Sequence, residues 1–212
     1  MQLLEAIKQR KTIKLFNDKA KISREELSEM LELAQLAPSK ANLQPWRFVV
    51  IDEPEQKQKL LDVVAFNGPP CESAAAVVIV LADLQYQRLF GDILDHSVAS
   101  GCLHANFRDR NYDFLLNTHN ALSDQDIRDQ VLIDTSLAAM QLMLITKEKG
   151  YDSHAIGIFD RKQVMSRFEI DADRFAPVML LAIGKAAVPA IPSARLPITH
   201  TVAWNSGKTL SK

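Results

Sequence analysis

Two periods of apolar residues run along this chain. Leu3, Leu4 and Ile7 recur at helical spacing and predict a short amphipathic helix over residues 2–9. Ser23-Arg24-Glu25-Glu26 is a capping box with Ile22 and Leu27 placed as its hydrophobic staple, so a second helix starts there and buries Leu27, Met30, Leu31 and Ala34. Pro38 has to end it, because proline disfavours the α conformation in the residue before it and has no N–H to donate. Residues 46–51, Trp-Arg-Phe-Val-Val-Ile, are aromatic and β-branched and read as a strand. Asp52-Glu53-Pro54 then turns the chain into a short helix over 55–64, which Asn67-Gly68-Pro69-Pro70 breaks. Residues 74–81, Ala-Ala-Ala-Val-Val-Ile-Val-Leu, are continuously apolar, as expected of an inner strand covered on both faces. Residues 177–185 repeat that pattern, with Gly184 as the stop.

Between these strands the pattern weakens and then strengthens. Aromatic residues and histidines over 83–122 follow no clean period, which predicts an excursion of short helices and loops. Ser123-Asp124-Gln125-Asp126 caps the longest helix, about 126–149, and Gly150 takes the usual C-terminal glycine position. From 131 to 145 that helix is apolar on nearly every side, more than one 212-residue domain can cover, so an obligate dimer is expected. A short strand ends at Ala155-Ile156-Gly157, and Asp160 caps a helix through about 168. Residues 188–212, with Pro189, Pro192 and Pro197, form an extended C-terminal arm whose Leu196, Ile198, Val202 and Trp204 need a partner surface.

With 212 residues and 47% hydrophobic content the chain forms one domain, 1–212. Lys plus Arg number 25 against 26 Asp plus Glu, interspersed, which argues against a nucleic-acid partner. The apolar runs are too short to span a bilayer and residues 1–5 do not resemble a signal peptide, so a cytoplasmic protein is expected. Cys71 and Cys102 are too isolated for a disulfide framework or a metal site; Pro69-Pro70 beside it suggests that Cys71 is exposed.

Two polar segments carry the candidate chemistry. In Arg10-Lys11-Thr12-Ile13-Lys14-Leu15-Phe16 an extended backbone sets Arg10, Thr12 and Lys14 on one side, the donors that a phosphate ester needs. Residues 37–48, Ala-Pro-Ser-Lys-Ala-Asn-Leu-Gln-Pro-Trp-Arg-Phe, place Ser39, Lys40, Asn42 and Gln44 in a loop anchored by a helix and a strand. Alone, each also reads as a solvated connector. No Gly-x-Gly-x-x-Gly, P-loop, Gly-x-Ser-x-Gly elbow or metal-type histidine pairing occurs.

Together with Ala182-Ile183-Gly184-Lys185 and Arg195-Leu196-Pro197, in this order and spacing, these segments resemble the nitroreductase family of FMN-dependent NAD(P)H oxidoreductases. The resemblance implies an α+β, nitroreductase-like fold with a central, mostly antiparallel sheet flanked by helices, in an intertwined homodimer. It implies tightly bound FMN, with Arg10, Lys11, Thr12 and Arg195 towards the phosphate and ribityl chain. Lys14 resembles the cation beside the N1–C2=O edge of the isoalloxazine, which stabilises negative charge on the reduced flavin. Pro38, Ser39, Lys40 and Asn42 resemble a wall supplied by the other subunit. Asn67 resembles the family's asparagine on the pyrimidine and N5 side, and Ala155, Ile156 and Gly157 the segment along the ring's other edge. Lys11 and Lys14 stand where many members have Arg, Ile158 where a second glycine is common and Ala155 where proline is frequent, departures that bear on the N5 hydrogen bond and the potential.

The implied activity is a ping-pong cycle: NADH or NADPH gives hydride to flavin N5, leaves, and a small-molecule acceptor such as a nitroaromatic or quinone takes its place, with residues 83–122 walling the acceptor site. No side chain need act as acid or base. A non-enzymatic FMN-binding or storage protein, or a specific flavin-dependent dehydrogenase or dehalogenase on the same fold, are the alternatives.

Overall fold

The computed structural model describes residues 2–210. Its centre is an antiparallel sheet of β1 (Trp46–Ile51), β2 (Ala76–Asp83), β3 (Asp152–Ile156) and β4 (Phe175–Gly184) in the order β1-β2-β4-β3. Every residue of β2 is buried, as its unbroken apolar run requires. Alternate residues serve opposite faces: Val77, Ile79 and Leu81 enter one core, Val78 and Val80 the other. The β2–β4 register shifts between Val80, opposite Met179, and Leu81, opposite Pro177. Pro177 has no N–H for an interior ladder, and the bulge absorbs that gap.

One face carries α2 (Arg24–Ala34) and α7 (Asp124–Glu148), which bury Met30, Ala34, Ala139 and Leu142. The other carries α3 (Pro54–Gln58), α4 (Gly68–Ser73) and α8 (Arg161–Arg167). Ser23 accepts from the Glu26 N–H, but the Glu26 carboxylate takes the Tyr151 hydroxyl at 2.8 Å rather than closing the capping box. The Ser123 box closes in both directions.

Three expectations change. The helix expected over 55–64 stops at Gln58 and continues in three-residue turns, in which Lys59, Leu60, Leu61 and Val63 donate three residues back and Leu60, Val63 and Val64 are buried. Asn67-Gly68-Pro69-Pro70 opens α4 rather than breaking a helix: its prolines occupy the first turn, where the missing N–H groups have no intrahelical partner. Cys71 is fully buried on α4, and burial pushes its thiol up to about 12. The excursion over 83–122 consists of short helices and loops as expected, with α5 (Phe90–Ala99) and α6 (Arg108–Asn120) packed together and their Phe90, Leu94 and Leu115 joining Tyr86, Leu43, Ala82, Val131 and Ala176 in one cluster.

Asp83 closes β2 with a carboxylate that is 0% exposed. It accepts from Arg174 at 2.7 and 3.0 Å, from Arg47 at 3.2 Å and from the Gln85 N–H at 3.0 Å. Asp83→Leu leaves the half-buried Arg47 guanidinium without its counter-charge and Arg174 with the Asp171 charge alone, and urea denaturation is expected to show a loss of about 2 kcal/mol.

The remaining helix, α1 (Leu3–Gln9), lies against α7 and leaves an apolar groove of about 610 Å3 lined by Leu3, Ala6, Pro38, Leu137, Met140 and Leu144. Ile133, Leu137 and Met140 stand outward on α7, so one chain leaves part of this apolar helix uncovered, in line with the expectation that a single domain cannot cover it. Residues 188–210 run extended apart from short turns, and Trp204 is 84% exposed; the rest of the arm, 211–212, falls outside the described residues.

Candidate functional site

The basic segment leaves α1 in an extended conformation because β3 holds it. Thr12 bridges Ser153 in parallel, the Ile13 N–H donates to the Ser153 carbonyl at 3.2 Å, and Ile13 and Phe16 are buried. With Ile13 inside, Thr12 and Lys14 must face outward, as alternation requires. Phe16 also bridges Ala186 just beyond β4, and the Ala187 N–H donates to the Leu15 carbonyl at 3.0 Å. The arm therefore starts beside the basic segment, which is how Arg195 meets Arg10.

Arg10, Lys11, Thr12, Lys14 and Arg195 line one hollow of about 220 Å3 with Ile191, Pro192 and Ser193. No acidic residue lines it, and among the described residues none of its four cations forms a salt bridge. Among the described residues Arg195 donates to the Ser193 hydroxyl and the Ala194 carbonyl. Uncompensated cations beside two hydroxyls suit a phosphate dianion. The volume is below the roughly 300–1,000 Å3 of complete ligand sites.

Lys14 Nζ lies 3.4 Å from His154 Nε2 and 5.8 Å from the Phe66 ring centre. His154 is buried, and burial first, then the Lys14 charge, push its imidazole down to about 4, against the Ile13 backbone, which favours protonation. The unfolded chain titrates this group near its ordinary 6.5 and so binds more protons between the two values. Stability is expected to fall as pH drops from about 6.5 towards 4, by about 3 kcal/mol below both values. Urea midpoints across this range should fall less in His154→Leu than in the natural protein.

Asn67 is buried beside the exposed Phe66 and does not line the hollow. At the end of β3, Ala155 and Gly157 are exposed and Ile156 is buried; a Cβ added at Gly157 meets nothing within 4 Å. Pro38, Ser39, Lys40 and Asn42 lie outside the hollow, and Pro38 lines the groove between α1 and α7.

That loop is tightly held. Ala41, Asn42 and Gln44 have φ of 49°, 57° and 47°, a left-handed conformation uncommon for side chains other than glycine. The Ser39 hydroxyl accepts from the Gln44 N–H at 3.0 Å, and Leu43 and Trp46 are buried. Asp134, which sequence reasoning missed, accepts from the Lys40 N–H at 3.1 Å and from Gln130 at 2.9 Å; burial pushes its carboxyl up. The only local signal was Gln130 four residues before Asp134 on a mostly apolar helix. Among the described residues no cluster of three metal-type ligands occurs.

A family model described as the nitroreductase family matches residues 7–185. YdgI of Bacillus subtilis, assigned as an NAD(P)H nitroreductase, is 40% identical over 201 residues, covering 95% of this chain and 96% of YdgI. An enone reductase of CLA biosynthesis from Lactiplantibacillus plantarum is 33% identical over 186 residues, 87% of this chain and 86% of its own. The crystal structure of an Exiguobacterium sibiricum protein assigned as a nitroreductase, in complex with FMN, superposes with a TM-score of 0.94 at 38% identity, covering 97% of this chain and 98% of that one. The α+β fold, the order of the motifs and these matches agree, and the chain belongs to the nitroreductase family.

Proposed function

We propose that two copies of this chain form a homodimer that binds FMN and passes hydride from NADH or NADPH to a small oxidised acceptor such as a nitroaromatic or quinone. The observation that carries the reading is the hollow of four unpaired cations, chemically suited to a phosphate monoester yet too small for a whole flavin nucleotide. Arg10, Lys11, Thr12 and Arg195 hold the phosphate and ribityl chain, and Lys14 faces the pyrimidine edge of the ring. Ala155, Ile156 and Gly157 lie along its other edge, where the open space above Gly157 lets a ring approach the backbone. Asn67 is the further polar contact. The stiff loop with Pro38, Ser39, Lys40 and Asn42 supplies the facing wall from the second subunit, whose approach also covers the apolar groove and the arm.

Bound FMN would supply the hydride relay between nicotinamide and acceptor. This chain's residues bind and orient the two reactants in turn at one open face, and none has to hold a proton. Anaerobic titration of the FMN-loaded protein with NADH and NADPH tests this: bleaching, then recolouring by a nitroaromatic or quinone, is expected. A yellow protein that neither nicotinamide bleaches would be a flavin store. Recolouring by one metabolite alone would mark a specific dehydrogenase. A chain that stays colourless after FMN is added overturns the reading.

A further inference from the structure

We propose that His154 is a positioning residue for Lys14, its uncharged ring accepting a hydrogen bond from the ammonium at Nε2 and holding that charge over the hollow. The inference rests on the FMN reading above. His154 sits on β3 opposite Ala182, 3% exposed, with Nε2 3.4 Å from Lys14 Nζ. Lysine only donates, so Nε2 must be the acceptor and the ring proton belongs on Nδ1. Nδ1 is buried and makes no well-formed hydrogen bond among the described residues, the Ile13 backbone being the one group near the ring that favours its N–H.

A buried histidine kept for packing usually has both nitrogens satisfied. Among the described residues this one makes its one side-chain hydrogen bond to a candidate ligand-binding cation, and an Nδ1–H left without a well-formed hydrogen bond opposes stability. An apolar residue would fill the same space without that penalty, but it would offer Lys14 no acceptor. The lysine stem is long and flexible, and the nearby Phe66 ring is a diffuse attraction at 5.8 Å. The imidazole contributes direction.

The test measures FMN dissociation constants and flavin midpoint potentials for His154→Leu, His154→Gln, Lys14→Met and the His154→Leu/Lys14→Met double variant. His154→Leu is expected to weaken FMN binding about ten-fold and to lower the potential, as Lys14→Met does. His154→Gln, which keeps an acceptor at that reach, should restore most of both. In the Lys14→Met background His154→Leu should add less than about two-fold, since the interaction is already gone. Equal effects in both backgrounds, or a folded His154→Leu protein with unchanged affinity and potential, overturn the proposal. A natural protein that takes up no FMN overturns the flavin reading instead. Nitrogen-15 NMR of the flavin-free chain then decides the contact, also where the leucine variant fails to fold: a neutral ring protonated at Nδ1 at pH 7 supports it, and one protonated at Nε2 overturns it.

Discussion

Leu137→Glu is expected to turn the proposed dimer into a monomer and to abolish FMN retention. Leu137 is 43% exposed and stands on α7 between the exposed Ile133 and Met140, at the mouth of the apolar groove shared with α1. Its own subunit leaves that face uncovered, so far-UV circular dichroism should stay native. Against a second copy the new carboxylate would lie in an apolar contact, where an unpaired charge costs several kcal/mol and shifts a dimer constant by about a thousand-fold or more. Sedimentation velocity reads the association state and absorbance reads flavin content. A folded variant that stays dimeric places the interface elsewhere. A monomer that keeps its flavin shows the site complete in one chain.

Arg195→Ala is expected to raise the FMN dissociation constant by about a thousand-fold, roughly 4 kcal/mol, because a guanidinium fork on a phosphate dianion is among the stronger polar contacts and its loss leaves anionic oxygens unpaired. Among the described residues Arg195 makes no salt bridge, so little compensation is available. Thermal unfolding of the flavin-free protein should barely move, since residues 191–200 are exposed. Fluorescence titration with FMN measures the effect, and unchanged affinity would overturn the proposed role of Arg195 at the phosphate.

What could be read from the sequence was local. β1 matches the expected strand from Trp46 to Ile51 because every residue in it is aromatic, β-branched or long-stemmed. Ser23 and Ser123 mark helix starts because a cap needs only neighbours three residues away, and Gly150 takes a φ of 78° where the longest helix stops. The hairpin α5–α6 was opaque because Tyr86, Tyr112 and His119 do the packing: the His119 ring stands edge-on to Tyr86 and meets its hydroxyl at 3.1 Å, which no hydropathy period records. The same limit divided the site. Alternation alone put Arg10, Thr12 and Lys14 on one side, but Arg195 joins them only because β4 leads the arm past Phe16. Asp134 meets Lys40 across 94 residues and His154 meets Lys14 across 140, pairings set by strand order and helix packing rather than by spacing.

Mixed dimers test the proposal of a shared flavin site most directly. One parent carries Arg195→Ala and the other Ser39→Ala with Asn42→Ala, each parent homodimer first being shown to lose FMN. If the phosphate cluster of one subunit works with the loop of the other, a mixed dimer rebuilds one intact site, and equilibrium dialysis should find one FMN per mixed dimer at natural affinity. Mixed dimers that bind FMN no better than either parent would contradict the account, because cluster and loop would then have to come from the same chain.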